Sequence, residues 1–438
     1  MRHFVTWSLL VAGLALAPAD VSAQQAGQFS TLNYNIAGLP LGFSQGNPEV
    51  NTPIISCLIR PFDHVSVQED FNFHAALYDR CDDHPFRSST TGGVPFGSGL
   101  NTLSNLSYTD FTRVKWSAPQ DGVDAIAQKG FTLARTRLAE GVYVDIYNLH
   151  AQAEVTEGAL AARRADILQL ANYIAQNSGG NAVIVHGDTN TRYTRTGDNI
   201  RVLSDDLGLT DAWVQRIRGG VQPELGAPAL TQCAIPATGP DCEIVDKVLY
   251  RSSNFVSLEA LEYRLLDETF VDRAGAPLSD HLPVLVNFAW RTPDDRRLSD
   301  PFGGPHGTAF NDADFIRSGT PVVVNAISLR GGARLDQVGI TLRGFGAFSH
   351  GGGGGTAQVL VLSPGEVVTG AELCSGQRDG RTRIFFANLT TSAGRSMAGG
   401  TRTNTCTTLN APAGWQVVGF HGRSGANVDK LGLVYAPR

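Results

Sequence analysis

Short apolar runs separated by turn residues dominate the first two thirds of the chain. Runs of this length, bounded by Gly, Pro, Asn or Asp, predict buried strands. The predicted strands are Phe29–Ile36, His64–Gln68, Phe131–Leu138, Val142–Leu149, Ala182–His186, Val245–Tyr250 and Pro283–Phe288. Only Ala139-Glu140-Gly141 separates the third run from the fourth, which predicts a hairpin.

One segment of this region has helical periodicity instead. Between Glu157 and Asn177, the apolar residues Leu160, Ile167, Ala171 and Ile174 recur at the spacing of one helix face. Such a helix packs its apolar face against a sheet. Mixed strands covered by helices predict an α/β sandwich for the first region.

The last third of the chain consists of short β runs and glycine turns. Residues 330–339 and 423–432 share the pattern R-x-G-A-x-(apolar)-D-x-(apolar)-G, and this internal repeat predicts an all-β fold built from similar sheets. Residues 291–314 are polar and rich in Pro and Gly, and we interpret them as a linker. The predicted layout is therefore a first domain at 24–290, a linker at 291–314 and a second domain at 315–438.

Composition and charge restrict the class of protein. Hydrophobic residues make up 42% and charged residues 17% of the 438 positions, which is typical of folded proteins and excludes intrinsic disorder. Residues 315–438 contain 12 Lys and Arg against 5 Asp and Glu, a net charge of +7. The whole chain has a net charge of −6, which leaves −13 for the remainder. This balance argues against a protein that coats nucleic acid.

The N terminus predicts export. Arg2 and His3 precede an apolar run, and Val21-Ser22-Ala23 offers a small-x-small cleavage site before Gln24. This layout is typical of a secretory signal peptide at residues 1–23, with a buried N-terminal helix as the alternative. No later stretch is apolar enough to span a bilayer. We therefore expect a secreted protein, extracellular or periplasmic, without a transmembrane segment.

The cysteine count fits an exported chain. The six cysteines are Cys57, Cys81, Cys233, Cys242, Cys374 and Cys406. An even number in such a chain predicts three disulfides, and we expect each cysteine to pair with its nearest neighbour in sequence. No Cys-x-x-Cys occurs, which argues against a zinc knuckle or a thiol redox site.

Polar residues at the ends of the predicted strands form the candidate site. In chain order they are Asn35, Glu69, His150, Asp188, Asn190, Asp246, Asp280 and His281. Loops at strand ends gather such side chains into one cleft, and unpaired buried charge is too costly to be a packing feature. For a single His or Asp at a strand end, a structural role is the more common explanation, such as an Asp that caps a turn.

The residue types suit hydrolysis of a phosphodiester. Glu and Asn oxygens are ligands that Mg²⁺ prefers. A histidine held by a carboxylate supplies a base near neutral pH. Asn and a second His can donate to the charge that develops on the phosphoryl oxygens.

Taken together and in order, these residues resemble the endonuclease/exonuclease/phosphatase superfamily, the deoxyribonuclease I-like fold, over residues 29–289. The resemblance implies a four-layered α/β sandwich with Mg²⁺ in its central cleft. It implies that Glu69 is the principal metal ligand, with Asn35 beside it. It also implies that Asp280 completes the environment of the metal or the base.

The same resemblance assigns the catalytic roles. His281 becomes the general base, held by a carboxylate that is best matched by Asp246. Asp188 positions the attacking water, and Asn190 contacts the phosphate. His150 stabilises the transition state or protonates the leaving group.

Lys129-Gly130-Phe131 and the His150-Ala-Gln152-Ala153 motif are similar to the secreted neutral sphingomyelinases, which cleave phosphocholine from sphingomyelin. This resemblance implies that Lys129 and Gln152 contact the substrate, with ordinary structural roles as the alternative. A secreted deoxyribonuclease-like endonuclease is the second enzymatic candidate, although the charge of −13 does not favour a polyanionic substrate. No paired-aromatic loop for insertion into lipid is evident in the sequence.

Residues 419–435, the glycine run 351–355 and the internal repeat resemble the jacalin-related lectins over about 315–438. The resemblance implies a β-prism that binds sugar through backbone amides and the Asp of a G-x-x-x-D loop. Gly425 and Asp429 match that loop, and Asp336 is expected to be a structural counterpart. The glycine run departs from the family pattern because it follows the first repeat instead of opening the domain. Binding to a cell-surface glycan is thus expected, either to target the enzyme or as a non-catalytic adhesin.

Overall fold

The computed structural model describes residues 25–40, 42, 46–228, 233, 242–316 and 319–438. The predicted signal peptide at 1–23 lies outside these residues. Among the helices that the structure describes, none is both long enough and apolar enough to cross a bilayer.

The first domain runs from Ala26 to Arg291. Its strands are β1 (Ala26–Asn35), β2 (His64–Gln68), β3 (Phe86–Arg87), β4 (Asn101–Ser104), β5 (Tyr108–Lys115), β6 (Gly130–Ala139), β7 (Val142–His150), β8 (Ala182–Asp188), β9 (Thr210–Asp211), β10 (Asp246–Arg251), β11 (Ser257–Leu265) and β12 (Val284–Arg291). Its helices are α1 (Pro48–Leu58), α2 (His74–Asp79), α3 (Glu157–Asn177), α4 (Val202–Asp205) and α5 (Ala212–Ile217). A 3₁₀ helix covers Gly122–Ile126.

Two six-stranded sheets form the centre of this domain, in the orders β11-β12-β1-β2-β4-β3 and β5-β6-β7-β8-β10-β9. Helices α1 and α2 pack on the first sheet through Ile55 and Leu77. Helix α3 packs on the second sheet through Ile167 and Ile174. The domain is therefore the four-layered α/β sandwich that the sequence predicts.

The register of the strands brings the candidate site together. Strands β7 and β8 are parallel, with α3 as the crossover, and His150 pairs with Asp188 at their shared end. Strand β10 runs antiparallel to β8, so that Asp246 lies opposite Asp188. Strands β1 and β2 are also parallel and end at Asn35 and Gln68. These strand ends meet at one edge of the sandwich.

The second domain is all β. Its strands are β13 (Arg297–Leu298), β14 (Phe302–Gly303), β15 (Thr308–Asn311), β16 (Val324–Gly331), β17 (Leu335–Leu342), β18 (Gly346–Gly351), β19 (Thr356–Val361), β20 (Val368–Arg378), β21 (Arg381–Thr391), β22 (Ser396–Gly400), β23 (Thr405–Asn410), β24 (Trp415–Ser424) and β25 (Val428–Pro437). They form a nine-stranded and a four-stranded sheet around one apolar core, and the two copies of the internal repeat form the β16–β17 and β24–β25 hairpins. The β-prism fold agrees with the prediction.

The predicted linker at 291–314 is wrong. Strands β13 and β14 pair with β25, and β15 pairs with β24, so the second domain begins near Arg297 and not at Phe315. Pro and Gly limit these strands to between two and four residues each, and the segment therefore has the polar, turn-rich pattern of a loop. Its backbone hydrogen bonds nevertheless go to the sheet.

The three disulfides join the predicted neighbours, Cys57–Cys81, Cys233–Cys242 and Cys374–Cys406. Each bridge stays within one domain.

The domains contact each other through buried polar groups. Asp110 of the first domain accepts from Lys430 Nζ of the second, and Arg135 Nη1 lies 3.3 Å from the same carboxylate. Asp300 accepts from Tyr143 Oη at 2.8 Å, close to the β6–β7 turn. Because β7 runs from this turn to His150, the contact at Asp300 lies about 25 Å along the sheet from the candidate site.

Candidate active site

Asp188 is the centre of the candidate site. Its Oδ2 accepts from Asn35 Nδ2 at 3.1 Å and lies 3.2 Å from His150 Nε2 and 3.6 Å from His281 Nε2. Its Oδ1 accepts from the backbone N–H of Asn190 at 3.1 Å. Burial opposes the charge, but the two histidines outweigh it and hold the pKa of Asp188 well below its usual range. Asp188 is therefore an anion that orders the groups around it.

His281 is held by two carboxylates. Its Nδ1 lies 2.8 Å from Asp246 Oδ2, which leaves Nε2 directed toward Asp188. Burial lowers the pKa of His281, but Asp246 and Asp188 raise it well above the usual value. Burial also raises the pKa of Asp246, whose Oδ1 has no hydrogen-bond partner among the described residues. The arrangement is that of a histidine base with an orienting carboxylate.

Glu69 reaches the site from a strained turn after β2. It has a φ of 58°, and a Cβ added to Gly38 would lie only 2.4 Å from the Glu69 carbonyl oxygen, so glycine is required there. Glu69 Oε1 accepts from Asn35 Nδ2 at 3.1 Å, the same amide that donates to Asp188. Asn35 Oδ1 accepts from the backbone N–H of Ala37 at 3.0 Å. Asn35 thus joins two carboxylates.

This donor set fits a hard divalent cation. The carboxylates of Glu69 and Asp188 both accept from Asn35 Nδ2, and Asp246 lies opposite Asp188 on the neighbouring strand. Ligating atoms of Asp188, Asp246 and His281 lie within 4.8 Å of one another. Oxygen donors of this kind favour Mg²⁺ over softer metals. The concentrated negative charge is the physical reason for a cation here.

Lys129 lines the same cavity as Glu69, whereas the side chain of Asn190 is hydrogen-bonded to the backbone. Lys129 Nζ pairs with Asp124 Oδ1 at 2.6 Å and is only 5% exposed. Asn190 has a φ of 52° and donates from Nδ2 to the carbonyl of Ala151 at 3.1 Å. Lys129 and Asn190 are therefore each held in place by a partner within the protein.

The structure contradicts the predicted substrate contact of Gln152. Its side chain is fully buried, and Oε1 accepts from the backbone N–H of Asp121 at 2.7 Å. Its Nε2 donates to Asp121 O and Asp124 Oδ2, both at 3.1 Å. Gln152 therefore anchors the 3₁₀ helix that carries the partner of Lys129. Both ends of its amide are used within the protein.

Asp280 does not join the hydrogen-bonded cluster. It is exposed, and its carboxylate accepts from Ser279 Oγ at 3.4 Å. It acts on His281 only through its charge, which helps to raise the pKa of that histidine. The predicted contact with the metal or the base is therefore not made here.

An apolar rim beside Glu69 was not evident from the sequence. A cavity of about 80 Å³ is lined by Glu69, Lys129 and apolar residues that include Val94 and Ile126. Ile126 is 51% exposed, and Phe96, two residues after Val94, is 74% exposed. Phe96 lies in the connection between β3 and β4, and Ile126 ends the 3₁₀ helix between β5 and β6, so no sequence pattern joins them.

The predicted sugar residues lie in one loop cluster of the second domain. Gly425 is exposed and Asp429 is buried. The backbone N–H of Gly304 donates to Asp429 O at 2.8 Å, and a Cβ on Gly307, which has a φ of 74°, would lie 2.7 Å from Asp429 Oδ2. A glycine segment therefore does open the domain, within the supposed linker. Asp336 accepts from Asn427 Nδ2 at 2.7 Å, which agrees with a structural role.

Comparison with known families gives a match for each domain. Residues 59–216 match Endonuclease/Exonuclease/phosphatase family 2, and residues 299–434 match the Jacalin-like lectin domain. The first domain is thus similar to the endonuclease/exonuclease/phosphatase family, and the second domain is similar to jacalin-like lectins.

Relatives of known sequence agree with this assignment. The sphingomyelinase of Mycobacterium bovis is 38% identical over 271 residues, which are 60% of this chain and 53% of that protein. The chain therefore spans about half the length of the curated relatives that it matches first.

Two solved structures cover one domain each. The crystal structure of SmcL is 15% identical and covers 60% of this chain and 99% of its own, with a TM-score of 0.40. Wild-type Malaysian banana lectin is 23% identical and covers 32% of this chain and 98% of its own, with a TM-score of 0.29.

Proposed function

We propose that this protein is a secreted, divalent-metal-dependent phosphodiesterase of the sphingomyelinase type, whose second domain binds a glycan. The single observation that carries the proposal is the cluster of Asp188 with Asn35, His150 and His281 at one edge of the sandwich. The similarity to the mycobacterial sphingomyelinase supports the substrate class. The three disulfides fit an oxidising compartment.

His281 is the proposed general base. Its Nδ1–H donates to Asp246, so the lone pair of Nε2 faces the position of the attacking water. Asp188, 3.6 Å from the same nitrogen, orients that water. As the water oxygen bonds to phosphorus, its proton passes to His281 Nε2 and the bond from phosphorus to the leaving oxygen breaks.

His150 lies across Asp188 from His281. With Nε2 3.2 Å from Asp188, it is placed to donate to a phosphoryl oxygen or to the leaving oxygen. Asn190, fixed by Asp188 and Ala151, contributes a further amide to the phosphate. These donors stabilise charge that is greatest in the transition state.

The carboxylates of Glu69 and Asp188 would hold the Mg²⁺, while Asn35, which the resemblance places beside Glu69 as a ligand, donates from Nδ2 to both carboxylates and would orient them. When bound, the cation offsets the charge of the phosphate and polarises its P–O bonds. Lys129 remains a candidate substrate contact, since it lines the cavity together with Glu69 and its ion-pair partner Asp124.

A lipid substrate is favoured over nucleic acid by the apolar rim. Ile126 is exposed and lines the cavity at Glu69, and the exposed Phe96 follows Val94, another lining residue, by two positions. A phosphodiester at the surface of a lipid bilayer offers apolar surface for such residues, whereas a nucleic acid backbone offers charge. The net charge of −13 outside residues 315–438 also disfavours a polyanionic nucleic acid as substrate.

The test uses the purified protein on sphingomyelin vesicles and on plasmid DNA, with Mg²⁺ or with EDTA. We expect release of phosphocholine that EDTA abolishes, little cleavage of DNA, and a rate on vesicles that Phe96→Ala lowers about tenfold. Phe315→Ala removes an exposed phenylalanine of the second domain and serves as the matched control. Cleavage of DNA without release of phosphocholine would replace the substrate with nucleic acid. Glycan binding without phosphocholine release or DNA cleavage would indicate a non-catalytic adhesin instead of an enzyme.

A further inference from the structure

A fully buried arginine lies on the side of α3 that faces the sheet. Arg163 is 0% exposed and is the largest of the fully buried side chains that the structure describes. It precedes Ile167 by four positions, and Ile167 packs in the core, so Arg163 occupies an apolar position of the helix pattern. A buried guanidinium is costly unless a carboxylate and hydrogen-bond acceptors compensate its charge. The proposed mechanism does not use this group.

The guanidinium of Arg163 holds the turn that follows His150. Its Nη1 donates to three successive carbonyls. These are the carbonyls of Gln152 at 2.7 Å, Ala153 at 3.1 Å and Glu154 at 2.8 Å. The turn curls around the nitrogen, with Glu154 in the left-handed region at a φ of 61°. Since His150 ends β7 just before this turn, Arg163 fixes the chain on one side of the imidazole.

Asp198 joins this arginine to the loop that carries Asn190. Its Oδ1 accepts from Arg163 Nε at 2.9 Å. Its Oδ2 accepts from the backbone N–H of Arg192 at 2.8 Å and from Arg195 Nη1 at 3.0 Å. Arg195 Nη1 also donates to the carbonyl of Asn190 at 3.0 Å. The side chain of Asp198 is only 1% exposed, so solvent screens these contacts little.

A direct contact between the two segments completes the network. Asn190 Nδ2 donates to the carbonyl of Ala151, the residue after His150, at 3.1 Å. The backbone of Asn190 is itself in the left-handed region, at a φ of 52°, which persists only where surrounding contacts impose it. Residues 150–154 and 190–195 are therefore joined twice, once directly and once through the pair of Arg163 and Asp198.

We infer that Arg163 and Asp198 are positioning residues, which set the separation between His150 and Asn190. The inference rests on the proposed function, in which these two groups donate to the phosphate, and it adds the residues that hold them apart. Donors stabilise the transition state only at the correct distance from the developing charge. Loosening this network therefore lowers kcat more than it raises KM.

The test compares two buried carboxylates, each paired with a buried arginine. Asp198→Asn leaves one acceptor oxygen in place of two, so it cannot hold both Arg163 and the 192–195 loop. Asp145→Asn is the matched control, because Asp145 pairs with Arg135 at 2.8 Å and lies five residues before His150 on β7. Hydrolysis of sphingomyelin vesicles gives kcat and KM at a temperature at which both variants are folded. Hydrogen–deuterium exchange reports on the backbone of residues 150–154 and 190–195 without any substrate.

We expect Asp198→Asn to lower kcat about 50-fold, with KM changed less than about threefold, and to speed amide exchange about tenfold in at least one of the two segments. Asp145→Asn should leave kcat within about twofold and both segments unchanged. Arg195→Gln is a milder variant, because this side chain is 25% exposed and its loss leaves the Arg163–Asp198 pair in place. It should lower kcat about fivefold and speed exchange in residues 190–195.

Three results would overturn the inference. Equal loss of kcat in Asp198→Asn and Asp145→Asn would show a general effect of lost stability. A lower kcat without faster exchange in either segment would show that Asp198 does not act by positioning. If Asp198→Asn does not fold, unchanged kcat and exchange in Arg195→Gln would exclude the role. Absence of phosphocholine release by the unchanged protein would instead refute the proposed function, and the exchange data distinguish the two failures.

Discussion

Asp188 and Asp246 are direct partners across the antiparallel β8–β10 ladder. Two carboxylates in this position repel each other, and both are buried. His281 offsets the repulsion, since its ring nitrogens lie 2.8 Å from Asp246 and 3.6 Å from Asp188. The contact with Asp246 also fixes the orientation of the imidazole, so the feature that stabilises the pair is also the one that the proposed chemistry uses.

Replacing His281 with Ala should abolish most of the hydrolysis. We expect kcat on sphingomyelin to fall about 10³-fold, because the proton acceptor for water is lost. The matched control is His350→Ala, which removes a histidine held by Asp312 at 2.7 Å in the second domain and should leave kcat unchanged. Activity of the His281 variant within tenfold of the unchanged protein would refute the assignment of the base.

The pKa of His281 should depend on Asp246. In protein freed of divalent metal, two carboxylates raise the pKa of His281 well above 6.5, and Asp246→Asn should lower it. Because the folded pKa is the higher one, this group stabilises the fold below pH 6.5, and that contribution is lost as the pH rises through the folded pKa. NMR titration of the imidazole measures the pKa directly. An unchanged pKa in the variant would show that Asp246 does not control this histidine.

Replacing Glu69 with Gln should weaken metal binding. We expect Mg²⁺ to raise the melting temperature of the unchanged protein, and to raise that of the variant much less, because a ligand that binds only the folded state stabilises it. Glu259→Gln removes an exposed glutamate from β11 of the same domain and is the control. A Mg²⁺-dependent shift of equal size in all three proteins would place the cation elsewhere.

Asp166 should give the fold a pH-dependent stability. Burial raises its pKa from 3.8 to about 6, while hydrogen bonds from the Gln152 backbone N–H and Gln120 Nε2 oppose the rise. The folded state then holds the proton more tightly than the unfolded state, so stability falls as the pH rises from about 4 to about 6. Two pKa units correspond to about 3 kcal/mol.

Urea unfolding of the unchanged protein and of Asp166→Asn at both ends of this range measures the difference. The variant should lack this part of the pH dependence, since Asn does not titrate. Parallel pH profiles for the two proteins would contradict the raised pKa.

The contact between Lys430 and Asp110 should stabilise the junction of the two domains. Lys430→Ala leaves Asp110 buried with less compensating charge, and we expect a loss of about 3 kcal/mol in the free energy of unfolding. Lys115→Ala, which removes an exposed lysine from β5, should cost less than about 0.5 kcal/mol. Equal effects of the two variants would show that the buried pair contributes nothing.

The main elements were readable before the structure because their patterns are local. Helix α3 has the predicted bounds, Glu157 to Asn177, since its apolar spacing and its Thr156 cap lie within one segment. Strand β2 likewise has the predicted bounds, His64 to Gln68. The sequence also showed the order of the polar residues that follow the strands.

Features that depend on residues far apart in sequence could not be predicted. Strands β13 to β15 have too few residues to show a period, and they become strands only by pairing with β24 and β25. The motif around Gln152 does not show whether its side chain contacts a substrate or, as in the structure, the backbone of Asp121. The sequence thus predicted which chemical groups are present and which strands or helices carry them, because hydrophobic periodicity and turn residues are patterns of a few neighbouring positions. Folding alone established which groups meet, because hydrogen bonds and ion pairs such as His281–Asp246 join residues far apart in sequence.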